Sequence, residues 1–344
     1  VIAFSSSKPF QQVFMTNLIF LNRLTEFSKS APPSSRSCGH YQRIIESLAN
    51  GTKGEILTKL TDFSDFLINN ITDMALKDLF VLMATEYSEP FGFNTELLIK
   101  LVSKTNNDNG LFIVSAIREI IKNNNDLKST VFDSEDFIDL FLKISIEKAK
   151  DQPLLATELF RLLETFNEFQ SFKPVLLKYS QNYEYQYNIS LPFQVRVFEK
   201  LDQKLFDLFF DPSSCSLLVE AIFYAFDRKS KEEQIELAKI SNLKQKTLDA
   251  FPKSITNARI SYLARQIFQD LPENENDQTF TQFVKNEVEE RIKTLETRFG
   301  GRVMNDDDDE EEGVDDDIDT LRDNAFPKSD SDSLDDSDSD DDSD

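Results

Sequence analysis

The sequence has little glycine, cysteine and histidine, and it has no tryptophan. Among its 344 residues are 8 Gly, 2 Cys and 1 His. Two cysteines are too few for a disulfide framework or a zinc cluster, which favours a reducing, intracellular compartment. No apolar run approaches the ~18 residues that would indicate a membrane span. Because glycine is scarce while Leu, Ile and Phe are abundant, we expect a helical protein rather than a turn-rich β protein.

The single histidine restricts the catalytic sites that the chain could form. His40 lies two residues after Cys38 in APPSSRSCGHY, whose small and polar residues predict a surface loop. A Ser–His–Asp or Cys–His site would have to use His40, and an isolated loop histidine is the favoured interpretation. The phosphate-binding patterns GxxxxGK[ST] and GxGxxG are absent from the sequence. We therefore predict a protein that is not an enzyme and that needs no metal or cofactor.

Negative charge is concentrated at the C-terminal end. Residues 302–344 carry 21 of the 62 acidic residues and 3 of the 38 basic ones. Such a segment buries too little apolar surface to offset its lost chain entropy, so we predict a disordered acidic tail. Residues 1–301 form the predicted globular part, and Gly300-Gly301 mark the boundary. The mild acidity of that part lacks the basic footprint of a nucleic-acid-binding protein.

The tail also contains a pattern favoured by acidophilic kinases. Each of four serines has an aspartate three residues downstream: Ser329, Ser333, Ser337 and Ser339. Phosphorylation would add almost two negative charges at each serine and would adjust an electrostatic contact rather than order the segment. A tail that only keeps the protein soluble is the equally weighted alternative.

Residues 63–166 show the periodicity of successive amphipathic helices. Asp73 is placed to cap a helix whose buried side would contain Leu76, Leu79, Phe80 and Met83. Asn94 and Ser134 are predicted caps of later helices, and Pro153 fits the first turn of another. The only candidate strand is YEYQYNIS at 183–190, for which a loop is equally favoured.

Helix pairs recur at an almost constant spacing. The second helix of each pair is predicted to begin near residues 74, 111 and 154. A repeat of about 40 residues is typical of HEAT and armadillo proteins, in which stacked helix pairs bury a continuous core. The predicted fold is therefore all-α, a HEAT/armadillo-like solenoid over residues 1–301.

Several segments resemble one known family in the same order. They are DFSDFLINNITDMALKDLFVLMATE (62–86), TELLIKLVSKTNNDNGLFIVSAIREIIKNN (95–124), FIDLFLKISIEKAKDQPLLATELFRLLETF (137–166), LFDLFFDPSSCSLLVEAIF (205–223) and FVKNEVEERIKTLETRFGG (283–301). These segments are similar to successive parts of the SAPS family, the regulatory subunits of type-6 serine/threonine protein phosphatases. A family motif, Gly-His-Leu-Thr-Arg-Ile-Ala-Asn, would align with residues 258–265, where only its apolar pattern and one Ala remain.

The resemblance implies a non-catalytic scaffold that binds a type-6-like phosphatase catalytic subunit and directs it to substrates. It further implies an ankyrin-repeat third subunit as a partner, and a cytoplasmic location with the nucleus as an additional one. Neither a membrane nor nucleic acid is an expected partner. Candidate partner-binding residues are Arg118, Arg259, Tyr262 and Arg265, since Arg and Tyr are common anchors of protein interfaces.

Two alternative functions remain open at this point. An importin or karyopherin-like adaptor is also a helical solenoid and would grip basic cargo through an acidic face. A histone chaperone would bind histones through residues 302–344 alone. Deleting the tail separates the histone chaperone from the phosphatase scaffold, because chaperone binding would be lost whereas phosphatase binding would persist.

Overall fold

The computed structural model describes residues 13, 15–29, 34–250, 258–270 and 278–296. The predicted acidic tail, its four serines and the boundary at Gly300-Gly301 lie outside these residues. By compactness the chain divides into Val1–Ile292 and Lys293–Asp344. In the second unit, the described residues are the end of the last helix, and all the packing discussed below belongs to the first.

The described residues are predominantly helical and contain no strand, as expected for an all-α protein. The α-helices are α1 (Leu18–Lys29), α2 (Ser35–Thr52), α3 (Phe63–Asn69), α4 (Met74–Glu86), α5 (Ser88–Phe91), α6 (Thr95–Ser103), α7 (Gly110–Asn123), α8 (Asn125–Leu127), α9 (Glu135–Asp151), α10 (Pro153–Glu164), α11 (Phe172–Ser180), α12 (Leu191–Phe198), α13 (Gln203–Phe210), α14 (Ser216–Asp227), α15 (Lys231–Ile240), α16 (Leu243–Ala250), α17 (Ala258–Asp270), α18 (Gln278–Phe283) and α19 (Glu289–Glu296). Short 3₁₀ segments cover Glu55–Lys59 and Thr165–Glu168, and π-helical turns cover Lys128–Phe132 and Val284–Val288. Residues 183–190 form a loop, the second of the two structures considered for them.

Seven helices pack in sequence, each against the next. We call them the row helices: α2, α4, α7, α10, α12, α14 and α17. The starts of α4, α7 and α10 at residues 74, 110 and 153 agree with the predicted starts to within one residue. The apolar side of each row helix thus packs against neighbouring row helices that lie one helix pair away along the chain.

The intervening helices pack against the row and against one another. Helix α3 contacts α4, α9 contacts α10, and α13 contacts α14, while α9 also contacts α6 and α11. Between the two sets runs an unbroken series of aromatic contacts, with ring centroids 4.5–6.4 Å apart. It comprises Phe27, Tyr41, Phe63, Phe91, Phe80, Phe93, Phe132, Phe137, Phe166 and Phe172. These rings make one contiguous core from α1 to α11.

Polar side chains join the ends of helices that are almost 40 residues apart. Asn124 Nδ2 donates to the Thr85 carbonyl at 3.0 Å, and Asn188 Nδ2 donates to the Ala149 carbonyl at 2.8 Å. Both carbonyls lie in the last turn of a helix, where no intrahelical N–H can reach them. The Asp133 carboxylate similarly accepts the N–H group of Ser171 at 2.9 Å, just before α11 begins. Helix ends in one pair are therefore completed by residues of the next.

Most predicted helix starts are confirmed. Asp73 Oδ1 accepts the N–H of Ala75 at 3.1 Å, and Asn94 Oδ1 accepts that of Leu97 at 2.9 Å. Pro153 is the first residue of α10. Ser134 directly precedes α9, but its side chain makes no capping hydrogen bond.

The loop predicted around Cys38 and His40 was wrong, because these residues lie in α2. The Ser34 hydroxyl accepts the Ser37 N–H and begins the helix. The buried side contains Cys38, Tyr41, Ile45 and Leu48, a helical spacing that the small residues before Cys38 obscure in the sequence. Burial, followed by the nearby Asp73, raises the pKa of the Cys38 thiol to about 11. His40 is exposed on the opposite side of α2.

Two helical glycines provide a matched test of this packing. A Cβ at Gly110 would lie 2.6 Å from Cδ2 of the buried Leu155, whereas a Cβ at Gly39 meets nothing within 4 Å. We expect Gly110→Ala to lower the free energy of unfolding by about 1–2 kcal/mol through overpacking between α7 and α10. Gly39→Ala should raise it by about 0.5–1 kcal/mol, since only the helix propensity changes. Urea unfolding monitored by circular dichroism measures both, and a stabilised Gly110→Ala variant would contradict the close approach.

Candidate partner-binding surface

One side of each row helix faces solvent. On three of these helices, this side begins with an exposed apolar residue. Met74, Leu111 and Leu154 occupy the first or second position of α4, α7 and α10, and they are 57%, 53% and 69% exposed. Charged side chains follow one or two turns later on the same helices. We call the solvent side of α4, α7, α10, α12, α14 and α17 the row face.

Arginine is confined to the row helices over most of the chain. Between Arg43 and Arg291 the sequence contains six arginines: Arg118, Arg161, Arg196, Arg228, Arg259 and Arg265. They lie on α7, α10, α12 and α17, or cap the C-terminal end of α14. Lysines of the same stretch also occur on the intervening helices, for example Lys100 on α6 and Lys143 on α9. The row face therefore has a concentration of arginine that the opposite helices lack.

The first charged contact on the row face joins α4 to α7. Lys77 Nζ lies 2.7 Å from Glu119 Oε1 and 3.2 Å from Asp78 Oδ1, and Ser115 Oγ donates to the same Glu119 oxygen at 2.8 Å. Burial alone would lower the pKa of Lys77, but the hydrogen bonds to Glu119 and Asp78 outweigh it and the pKa is raised. Burial alone would raise the pKa of Glu119, but the hydrogen bonds from Lys77 and Ser115 hold it below its ordinary value.

The next contact joins α7 to α10 through one carboxylate and two guanidinium groups. Arg118 Nη2 donates to Glu158 Oε2 at 2.7 Å, and Arg161 Nη1 donates to Glu158 Oε1 at 2.9 Å. Burial acts to raise the pKa of Glu158, but the two arginines hold it below its ordinary value. About half of each arginine side chain stays exposed, so each retains N–H donors that face solvent.

An aromatic ring continues the row from α10 to α12. The guanidinium carbons of Arg161 and Arg196 lie 5.7 and 5.9 Å from the centroid of the Phe193 ring. Arg196 also lies 3.7 Å from Glu164 and 3.6 Å from Glu220 on the two neighbouring row helices. Burial raises the pKa of Glu164 and the arginines only partly offset it. Its buried Oε1 has no hydrogen-bond partner among the described residues.

A hollow of about 270 Å³ follows beside α14, lined by Glu164, Asn167, Arg196, Glu220, Tyr224 and Arg228. Arg228 Nη1 lies 2.7 Å from Glu199 Oε1, and its guanidinium carbon is 5.4 Å from the centroid of the Tyr224 ring. Tyr224 is 51% exposed. The hollow thus combines an exposed aromatic ring with fixed charges of both signs.

The four predicted partner-binding residues all lie on row helices, but they are divided between α7 and α17. Arg259, Tyr262 and Arg265 are together on α17, where the Arg259 guanidinium carbon is 5.5 Å from the centroid of the Phe223 ring. Arg265 Nε is 3.6 Å from Glu289 Oε1. Arg118 is on α7, with α10, α12 and α14 between it and that group.

Sequence reasoning missed the residues between these two places. They are Arg161, Phe193, Arg196, Tyr224 and Arg228. A usable signal was present, because successive arginines from Arg118 to Arg228 are separated by about one helix pair, the spacing expected of equivalent positions in repeats.

In comparisons with known proteins, no family model, curated protein or solved structure matches the chain. In the part of the chain that the structure describes, no three His, Cys, Asp or Glu residues are grouped so that they could hold a metal ion. No described helix is both long and apolar enough to cross a membrane.

Glu158 and Glu164 lie on the same helix, and their pKa values shift in opposite directions from the ordinary 4.5. The stabilising effect of ionised Glu158 is complete above pH 4.5 and is lost as the pH falls through its native pKa. Ionisation of the buried Glu164 carboxyl lowers the free energy of unfolding. This loss grows as the pH rises from 4.5 through the raised native pKa of Glu164 and is complete above that pKa.

At neutral pH we therefore expect Glu158→Gln to lower the free energy of unfolding by up to about 1 kcal/mol. Glu164→Gln should raise it, because the amide removes the cost of a buried charge. Both differences from the unsubstituted protein should disappear well below pH 4.5. Urea unfolding across this pH range measures them, and effects of the same sign at neutral pH would contradict the assignment.

Proposed function

We propose that this chain is a non-catalytic regulatory subunit that binds a type-6-like serine/threonine phosphatase catalytic subunit and directs it to substrates. The ordered resemblance of five segments to the SAPS family suggests the partner. The row face suggests where the partner binds. An ankyrin-repeat third subunit and a cytoplasmic location, with the nucleus as an additional one, belong to the same proposal.

The observation that carries this proposal is that every arginine between Arg43 and Arg291 lies on a row helix or at its end. Arginine and tyrosine are enriched among the residues that dominate binding energy at protein interfaces. Arg118 and Arg196 are each held by a carboxylate of a neighbouring helix, and Arg161 is held by Glu158 on its own helix. A side chain that is already held loses less conformational entropy when it binds a partner.

We further propose that the row helices and their intervening helices form a HEAT/armadillo-like repeat array. Consecutive row helices pack on one another, and hydrogen bonds that join helix ends span similar distances in sequence. Such an array presents equivalent positions side by side, which is the arrangement that many weak contacts to one large partner require.

Of the alternatives, the importin-like adaptor is less favoured by the charges of the row face. Basic cargo would need an acidic surface, whereas every row helix from α7 to α17 contributes an arginine or ends at one. No observation on the described residues favours a histone chaperone, whose binding segment would be the acidic tail.

The first test is capture of a purified type-6-like catalytic subunit by the full chain. We expect Arg118→Ala/Arg161→Ala to weaken capture by about tenfold or more, because two central anchors are truncated. Lys143→Ala/Lys173→Ala removes the same charge from α9 and α11, away from the row face, and should change affinity little.

Two outcomes contradict separate parts of this proposal. No capture by the unsubstituted chain would overturn the phosphatase partner. Capture that is equally strong for both double variants would retain the partner and remove the row face as its site. Thermal unfolding of each variant checks that a loss of binding does not reflect a loss of folding.

The apolar residues at the helix starts allow a second, independent test. Leu111→Lys/Leu154→Lys should weaken phosphatase capture by about tenfold if these exposed side chains become buried against the partner. Leu177→Lys/Ile240→Lys is the matched control, since these residues are 65% and 69% exposed on α11 and α15. Both variants gain two positive charges, so an equal loss would indicate a general charge effect and would contradict a contact at the helix starts.

A further inference from the structure

A second, larger cleft lies at the end of α14, where α15 begins and α17 packs against both. Its volume is about 530 Å³, and we call it the α14–α17 cleft. Among the described residues, its charged lining consists of Lys229, Lys231 and Arg265 together with the carboxylate of Asp227. Three cations therefore face one anion in a cavity whose size falls in the range of ligand sites, about 300–1,000 Å³.

The carboxylate of the cleft is already engaged. Gln266 Nε2 lies 3.2 Å from Asp227 Oδ1 and bonds it across the cleft wall. The buried side chain of Gln234 donates to the carbonyls of Phe226 at 3.0 Å and Asp227 at 3.1 Å. These carbonyls form the negative end of α14, so Gln234 covers the acceptors that would otherwise oppose an anion here.

Two other carboxylates near the cleft, Glu233 and Glu289, are also held by the protein. Glu233 folds back on the start of α15, where its Oε2 accepts the Ser230 N–H at 3.0 Å in a capping box. Glu289 lies 3.6 Å from Arg265 Nε. A guanidinium has five N–H donors, so Arg265 can hold Glu289 along one edge and a second anion along another.

Lys229 is one of the three cations of the lining. It follows α14 directly in a turn closed by its own N–H, which donates to the Phe226 carbonyl at 3.1 Å. Within the described residues its ammonium group makes no ion pair of 4 Å or less. The rings of Phe223 and Tyr262 form the apolar part of the same wall, and the Tyr262 hydroxyl provides a further polar group.

We propose that the α14–α17 cleft binds an acidic segment of a protein, with Asp, Glu or phosphoserine side chains contacting Lys229, Lys231 and Arg265. The aromatic rings provide a surface for the aliphatic parts of such a segment. We favour a short protein segment over nucleic acid, because repulsion by the net charge of −24 grows with the number of negative charges on the ligand and a nucleic acid carries one at every nucleotide. Selection of acidic substrates by this cleft would be part of the proposed regulatory role and rests on that proposal. The binding of acidic segments does not depend on it.

The test is fluorescence anisotropy with the full chain and three labelled peptides of equal length. One contains alternating Asp and Ser, one has phosphoserine in place of Asp, and one has Asn in place of Asp. We expect the two acidic peptides to bind, with an affinity that falls as salt is raised, and the neutral peptide not to bind. Failure of both acidic peptides to bind would overturn the proposal.

Charge-reversal variants locate the binding. Lys229→Glu/Lys231→Glu should weaken binding by about tenfold or more. Lys143→Glu/Lys173→Glu changes the net charge equally on α9 and α11 and should have a much smaller effect. Because all variants carry the same C-terminal segment, differences between them report the cleft. An equal loss in both variants would overturn the assignment to this cleft.

Three further measurements complete the test. If Lys229→Glu/Lys231→Glu proves unfolded by circular dichroism, Lys229→Gln/Lys231→Gln replaces it, with the same expected direction. Inorganic phosphate serves as a competitor, and displacement of the peptides at equal concentration would reassign the cleft to a small free anion. Phosphatase capture by Lys229→Glu/Lys231→Glu should be retained, which separates a failure of the cleft from a failure of the proposed partner.

Discussion

Burial of the apolar side of one row helix against the next is the interaction on which the rest of the structure depends. A helix such as α7 has Val114, Ile117 and Ile120 almost fully buried, and one helix pair cannot cover both sides of such a stripe. The contacts from α4 to α7 and from α7 to α10 supply that cover. Phenylalanine rings fill much of the space between the two sets of helices.

The same stacking places charged side chains beside one another. Arg118 and Glu158 are 40 residues apart in sequence, and they meet only because α7 and α10 are neighbours. Each such pair contributes little to stability because it is partly exposed. Its effect is geometric, since a guanidinium held by one carboxylate is positioned before any partner arrives. The row face and the α14–α17 cleft are therefore consequences of the packing beneath them.

Local signals predicted much of this arrangement. The caps at Asp73 and Asn94, the position of Pro153 and the spacing of α4, α7 and α10 all follow from hydrogen bonding and apolar periodicity within a few residues. The prediction failed at Cys38 and His40, where small residues hide the start of α2. It also missed Arg161 and Arg196, although their spacing of about one helix pair was a usable signal. It missed Phe193 because its contacts with the two arginines depend on the packing of α10 against α12.

The sequence by itself determined that the chain is helical, where several helices begin and which residues form their apolar sides, because these properties depend on contacts within about one or two helical turns. Only the tertiary structure decided which helices are neighbours. It thereby decided that six arginines share one face and that Lys229, Lys231 and Arg265 surround one cleft. Those groupings join residues on separate helices, and no local rule of backbone or side-chain chemistry specifies them.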